Sequence, residues 1–575
     1  MPSAGAAQRR GHGWAAAAAK YAPVGIAAAA VAVLGLWGLA RDSSMGNDEV
    51  ATRWAALLSL HDLAHLLNTV DAVHGLYYLV MHVWVAVGSS PTVLRIPSVL
   101  AMIVAVALTA ILGRRLTGSG WVALFSGLIM ALTPVITYYA QTARSYAMVV
   151  TCVLGATLAL LHALNAEATG AAAPVVTRRW VAYGALVTLG GYLNELSLLV
   201  LAAHAVTVLL ARYGRRAVLH WAAAAAAGAG LVLPLVVISI RENGAVHWIN
   251  RPDLAHLRSL FRDYFGVTAA AAVLVLACAV VAVLPPAGWW GRRGRLRQHR
   301  ATRTGSSDGT VARRRGRLWQ QRATRTGSSD GTVAGRRAGA APEAGAAKPE
   351  SPWWSSSGIS LPSVAAPLLV VPAALLFGES LVGTPLYVDR YVLYGEAGAA
   401  LLAGAGMYRI GCWLRDATNR RALLWVPGVV VCVLALLLQI GPQQRIRTPK
   451  SRSYDFGSAS TFVGAHAQRG DGVLFFSTFY RKARLGYPGD FAKISDFAMK
   501  VSPQQAGTFR GRNKPFALIE PLMLTHERIW VIGREPSDRV PSREYRDESE
   551  VLRRDFYLVL RHHFRGMIVT LWQRR

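Results

Sequence analysis

The stretch Tyr21–Glu49 reads YAPVGIAAAAVAVLGLWGLARDSSMGNDE. Its apolar run, Tyr21 to Ala40, is long enough to cross a bilayer, which takes roughly 20 residues. A few positions later stand two adjacent carboxylates, Asp48 and Glu49. A second polar cluster, Asp71-Ala72-Val73-His74, comes before the next long apolar run. Acidic groups held against a membrane face point to chemistry there. The plainer reading is a helix start, with Asp48 as N-cap and Glu49 in the first turn. These residues alone leave both readings open.

Of the 575 residues, 53% are hydrophobic, and the apolar residues fall in bilayer-length runs. That predicts a polytopic membrane protein rather than a string of soluble domains. A net charge of +31 suits nucleic acid, but no zinc pattern or RNA-binding signature accompanies it, so no nucleic-acid partner is expected. Lys and Arg at cytoplasmic span ends and in one basic loop explain the charge better. Cys152, Cys278 and Cys432 lie within apolar runs and Cys412 near the end of one. No pair has metal-ligand spacing, so they read as small buried hydrophobes. The first run follows Arg9, Arg10 and Lys20 without a convincing cleavage site and reads as a retained signal anchor.

Positive charge sets the topology. With the N-terminus inside, the first span delivers Asp48 and Glu49 outside. The apolar stretch Leu76–Val87 is too short to cross and reads as an outer interfacial helix, amphipathic and anchored by its tyrosines. Span two is expected over about Thr92–Gly113 and span three over about Trp121–Ile136. Continued alternation puts Arg114-Arg115, Arg178-Arg179, Arg215-Arg216 and Arg420-Arg421 inside. The expectation is an all-α module over residues 1–440 with about 11 transmembrane helices, in the plasma (cell) membrane, N-terminus cytoplasmic. Residues 41–91 form its first extracytoplasmic loop. Residues 291–357 carry a tandem copy of RATRTGSSDGTVA, at Arg300–Ala312 and Arg322–Ala334, and read as a disordered basic cytoplasmic loop. Beyond Gly441, strand candidates Val473–Phe476, Ile529–Ile532, Tyr557–Leu560 and Met567–Leu571 predict a small extracytoplasmic α/β domain over 441–575.

In this topology the polar residues that interrupt apolar runs gather on one side: Asp48, Glu49, Asp71, His74, Gln141, Arg144, Asn194, Glu195, Arg390 and Tyr391. Each arginine is either an anchor reaching lipid phosphate or a bidentate clamp on a bound phosphate. Glu195 is either part of that cluster or the cap of span six. Carboxylate beside guanidinium suits transfer of a sugar from a lipid phosphate to a hydroxyl. The hydroxyl needs a base, and the departing phosphate needs cations.

Five motifs, in order, resemble the GT-C glycosyltransferases of glycosyltransferase family 39, near the bacterial mannosyltransferase-like members. That group includes protein O-mannosyltransferases and the lipid A aminoarabinose transferase. The motifs are Asp48-Glu49, Asp71-Ala-Val-His-Gly-Leu-Tyr-Tyr78, Leu94-Arg95-Ile96-Pro97-Ser98, Tyr139-x-Gln141-x-x-Arg144-x-Tyr146-Ala147 and Arg390-Tyr391. The resemblance implies an inverting transfer from a polyprenyl-phosphate sugar to an acceptor protein, lipid or glycan, within membrane lipid. It implies Asp48 as base with Glu49 supporting. It puts Asp71, His74 and Tyr78 on substrate, and Gln141, Arg144 and Arg390 on the donor phosphate, with Glu195 and Tyr391 alongside. Some relatives use a divalent metal (Mg or Mn), although this sequence carries no diagnostic ligand set. The prolines that follow the family's histidine are missing, and Gly75 stands there, which bears on the acceptor. The competing classes are a transporter or flippase of lipid-linked sugars and a non-catalytic envelope scaffold. Transporters show half-to-half repeats, which are not found here.

Overall fold

The computed structural model describes residues 4–40, 44–242, 249–284, 359–448, 451–534 and 543–575. The expected basic loop at 291–357, with its repeat, lies outside them.

Among the described residues, five helices are long and apolar enough to cross a membrane: Pro91–Thr117, Tyr146–Ala168, Arg215–Arg241, Leu361–Val382 and Val426–Ile446. Two bent pairs meet the same test together, Gly120–Leu132 with Pro134–Ala140 and Leu254–Phe265 with Ala269–Val283. The chain is a membrane protein. The third expected span differs from its reading, because it bends by 68° at Thr133 instead of running straight through. Pro134 has no N–H to continue the ladder. The Gln443 amide takes up the Leu132 carbonyl at 3.1 Å, and the Thr133 hydroxyl donates to Glu396 Oε1 at 3.1 Å.

The Gly395–Thr418 helix is the hub of the bundle. It packs on Ala269–Val283, Gly120–Leu132 and Leu361–Val382. Its sequence GEAGAALLAGAG is built of small residues, which let backbones approach closely where lipid offers no hydrophobic drive. A Cβ at Gly406 would run into the Cys278 carbonyl.

The segment expected to lie in the interface forms the short helix Gly75–Trp84. Its outward face is apolar, with Leu79, Val80 and Val83 at 44, 40 and 74% exposure. Its tyrosines correct the expectation of aromatic anchors. Tyr77 and Tyr78 are fully buried and turn into the protein.

After the Val426–Ile446 helix the chain builds a mixed sheet in the order β1-β4-β6-β5. Here β1 is Gly472–Phe475, β4 Arg528–Gly533, β5 Phe556–Phe564 and β6 Met567–Arg574. β1 runs parallel to β4, while β6 is antiparallel to both β4 and β5. A separate ribbon pairs β2, Met499–Val501, with β3, Arg512–Asn513. All four strand candidates from the sequence are strands. Leu474, Ile529 and Val531 face a core shared with Met523, Val551 and Phe556. The indole of buried Trp530 donates to Asp471 at 2.9 Å, so its polar end is satisfied. This region packs on the first loop through the short helix Lys482–Gly486, which lies against Asn47–Leu57. Arg53 ties the two by donating to the Gly486 carbonyl at 3.1 Å.

Candidate active site

The helix Asn47–Leu57 begins with the acidic pair, but Gly46 and not Asp48 is its N-cap. Glu49 reaches back to accept from the Gly46 N–H at 3.0 Å, which leaves the Asp48 side chain free of capping duty. The two neighbours then point to different places.

Glu49 faces inward and is 1% exposed. Arg95 grips it with Nε at 2.8 Å and Nη2 at 3.0 Å. The Ala143 N–H donates to it at 2.9 Å, and Arg452 stands at 3.7 Å. Burial acts to raise this carboxyl, but Arg452 and Arg95 outweigh it and hold it at about 2. Glu49 is therefore a buried anion with every lone pair engaged. It fixes the start of its helix to the turn that carries Arg144. Thr52 adds a second tie to that turn, donating to the Ala143 carbonyl at 3.0 Å.

Asp48 faces a polar pocket, its side chain about one third exposed. Arg144 is the centre of this pocket. Its Nη2 lies 3.9 Å from Asp48 Oδ1 and 3.6 Å from Asp71 Oδ2, and its Nη1 donates to the Tyr78 hydroxyl at 2.7 Å. Tyr78 in turn donates to Asp71 Oδ2 at 2.7 Å, closing a ring of three residues. Asp71 holds φ of 63°, a left-handed backbone that Asp tolerates better than most residues. The Ala72 N–H just after it is bound by Glu242 at 3.2 Å. The Arg144 carbonyl is held by Ser98 at 3.2 Å, so the Leu-Arg-Ile-Pro-Ser motif positions both Glu49 and Arg144.

Arg390 forms the far wall. Its Nε donates to the Tyr146 hydroxyl at 2.8 Å, and its guanidinium lies over the rings of Tyr146 and Tyr391 at 5.6 and 5.4 Å. Burial alone would raise Asp48, but Arg144, Arg390, Lys482 and His74 hold the carboxyl well below the usual range. Asp71 is lowered in the same way: Arg144 and His74 outweigh burial. His74, buried beside Tyr78, is pushed down to about 3 by desolvation and Arg144, against Asp71 and Asp48, and is neutral at physiological pH. Its Nδ1 is buried without a hydrogen-bond partner.

The structure thus brings together Asp48, Asp71, His74, Tyr78, Arg144, Arg390 and Tyr391. Gln141 lies behind the pocket. Its amide donates to the Gly35 and Trp37 carbonyls at 2.9 and 3.0 Å and pins the end of the Ala4–Leu36 helix, which carries most of the first apolar run. Glu195 accepts from Ser239 at 3.0 Å and stands in electrostatic contact with Glu242, one step from Asp71. Sequence reasoning assigned no role to Arg95, Arg452 and Lys482. Arg95 had a signal, since it sits in a quoted motif. Lys482 and Arg452 lie far along the chain and had none. Among the described residues, no group of three or more His, Cys, Asp or Glu could hold a metal ion. The pocket's carboxylates face a guanidinium instead, so the donor set does not fit a resident Mg or Mn.

No protein-family model matches the chain, and no curated protein matches it. Solved structures do. The crystal structure of ArnT from Cupriavidus metallidurans bound to undecaprenyl phosphate is similar over 96% of this chain and 98% of that one, at 12% identity and a TM-score of 0.53. ArnT from the same organism in the apo state gives the same identity and TM-score over 98% of each chain. At this identity the likeness is one of fold alone.

Proposed function

We propose that this protein is a membrane glycosyltransferase that moves a sugar from a polyprenyl-phosphate donor to an acceptor hydroxyl, with inversion. The observation that carries the reading is the convergence of Asp48, Asp71, Arg144 and Arg390, residues spread over the whole bundle, in one pocket. An ArnT structure of the same fold is described with undecaprenyl phosphate bound, which supports the donor class.

In this reading Arg144 and Arg390 bind the donor phosphate and stabilise the charge that grows on it as the glycosidic bond breaks. Asp48 takes the proton from the acceptor hydroxyl as that oxygen attacks the anomeric carbon from the opposite side. The free pocket holds Asp48 too acidic to be a strong base. A bound phosphate draws the same cations to itself and so raises the proton affinity of Asp48 only when donor is present. Asp71 and Tyr78 keep the Arg144 fork in place, and neutral His74 offers its ring nitrogen to substrate. The donor sugar is mannose or a similar sugar, and about eleven spans of a plasma-membrane protein carry the pocket on the extracytoplasmic side, with the cytoplasmic N-terminus opposite.

The test is to incubate the purified full-length protein with labelled polyprenyl-phosphate mannose and membrane extract, then identify what becomes labelled. Label transfer to any acceptor, lost in Asp48→Asn, supports the reading. Movement of intact lipid between leaflets without transfer replaces it with a flippase.

A further inference from the structure

Lys482 comes from the region after the last long helix, yet it enters the pocket. It begins the short helix Lys482–Gly486, and its direction is fixed by the residue before it. Arg481 is locked by Asp496 at 2.7 Å and Asn513 at 2.7 Å. The Lys482 stem runs between two aromatic rings, with Nζ 5.2 Å from the centre of Phe479 and 5.3 Å from Phe509. The residue is 8% exposed. Its one hydrogen bond among the described residues goes to Asn47 Oδ1 at 2.7 Å, a neutral oxygen beside Asp48.

That arrangement is incomplete as it stands. An ammonium carries three donors, and a buried charge is normally paired. A role as counter-ion to Asp48 would place a carboxylate oxygen in contact, and Lys482 forms no ion pair among the described residues. The missing partner is an anion on the pocket side, where Arg144 and Arg390 also point their charge. We propose that Lys482 binds the phosphate of the lipid donor, so that the donor headgroup is held between the membrane bundle and the region that follows it. This deepens the transferase reading and rests on it. Burial, with Arg144 and Arg510 near, lowers the ammonium to about 8, against Asp48 and Asp71. A bound phosphate restores its full charge.

The experiment compares the full-length wild type with Lys482→Met, Lys482→Gln and Lys482→Arg in lipid nanodiscs. Each is titrated with undecaprenyl phosphate and, separately, with undecaprenol, and its thermal unfolding is recorded. Loss of a charge-assisted hydrogen bond should weaken undecaprenyl phosphate binding about tenfold or more in the Met variant. Undecaprenol binding should be unchanged, and Lys482→Arg should recover most of the loss. The Gln variant gives the same reading if the thioether disturbs the fold. Wild-type binding of undecaprenyl phosphate by the Met and Gln variants overturns the proposal, as does equal weakening for both lipids. A wild type that binds undecaprenyl phosphate no better than undecaprenol defeats the transferase reading itself, and the proposal with it.

Discussion

Arg95 and Glu49 form a two-point ion pair sealed from solvent, both side chains 2% exposed. The pair joins the Pro91–Thr117 helix to the first turn of Asn47–Leu57. A buried pair broken from one side leaves the other charge stranded, at a cost of about 3–5 kcal/mol. Glu49→Gln should therefore lower the unfolding temperature of the detergent-solubilised protein by several degrees. The acid limb follows from the same carboxyl. Its folded value of about 2 is depressed from 4.5, so its contribution is fully present above 4.5 and is lost as pH falls from there toward 2. Thermal melts across that window should fall steeply for wild type and less for Glu49→Gln. Parallel curves would show that the pair contributes nothing.

With Glu49 in the capping role, Asp48 keeps few ties to the fold: it accepts from the neighbouring Asn47 amide at 3.1 Å and faces Arg144 at 3.9 Å. Asp48→Asn loses the charge that Arg144, Arg390 and Lys482 favour, so the unfolding temperature should fall, but by less than for Glu49→Gln, whose pair is sealed from solvent. Sugar transfer from a labelled lipid donor should fall by at least about a hundredfold. Retained turnover would remove Asp48 as the base.

Tyr78 bridges Arg144 and Asp71 through one hydroxyl. Tyr78→Phe keeps the ring under the guanidinium and removes both hydrogen bonds. Steady-state kinetics should show a drop of about tenfold in kcat/KM, the worth of one charge-assisted bond. An unchanged value would mean that Asp48 and Asp71 hold Arg144 unaided.

The proposed sidedness is open to a labelling test. His562 and Arg420 are both exposed and lie at opposite ends of the chain's expected topology. In a variant lacking the native cysteines, His562→Cys should react with a membrane-impermeant maleimide from outside the cell, and Arg420→Cys only after lysis. Equal reaction from outside would overturn the orientation.

Much of the fold was legible because bilayer-length apolar runs leave little choice of structure. The Pro91–Thr117 helix falls close to its sequence reading of Thr92–Gly113, and every strand candidate after Gly441 became a strand. The bend at Thr133 was missed because a run of high hydropathy hides the proline, and the Leu132 carbonyl left free at the break is satisfied from Gln443, more than 300 positions on. The inward turn of Tyr77 and Tyr78 was missed for a related reason. Periodicity shows that a short helix has two faces, but not which of them meets protein when both are apolar. In the pocket, Asp48, Asp71, Arg144 and Arg390 carried signals because charge is rare beside membrane spans. Lys482 sits in a stretch where basic residues are common, Arg481-Lys482-Ala483-Arg484, and nothing local distinguishes it.

The Gly75–Trp84 helix has Leu79, Val80 and Val83 on its outer side and the Tyr78 hydroxyl on its inner side. This helix, barely three turns long, thus turns an apolar flank outward and the Tyr78 hydroxyl toward the Arg144 fork, which in the proposed membrane setting would couple the acyl chains to the pocket. Rolling it by a small angle would shift the phenol oxygen against Asp71. Turnover measured in short-chain and long-chain phosphatidylcholine vesicles should therefore differ, with bilayer thickness acting as a throttle on the proposed transfer.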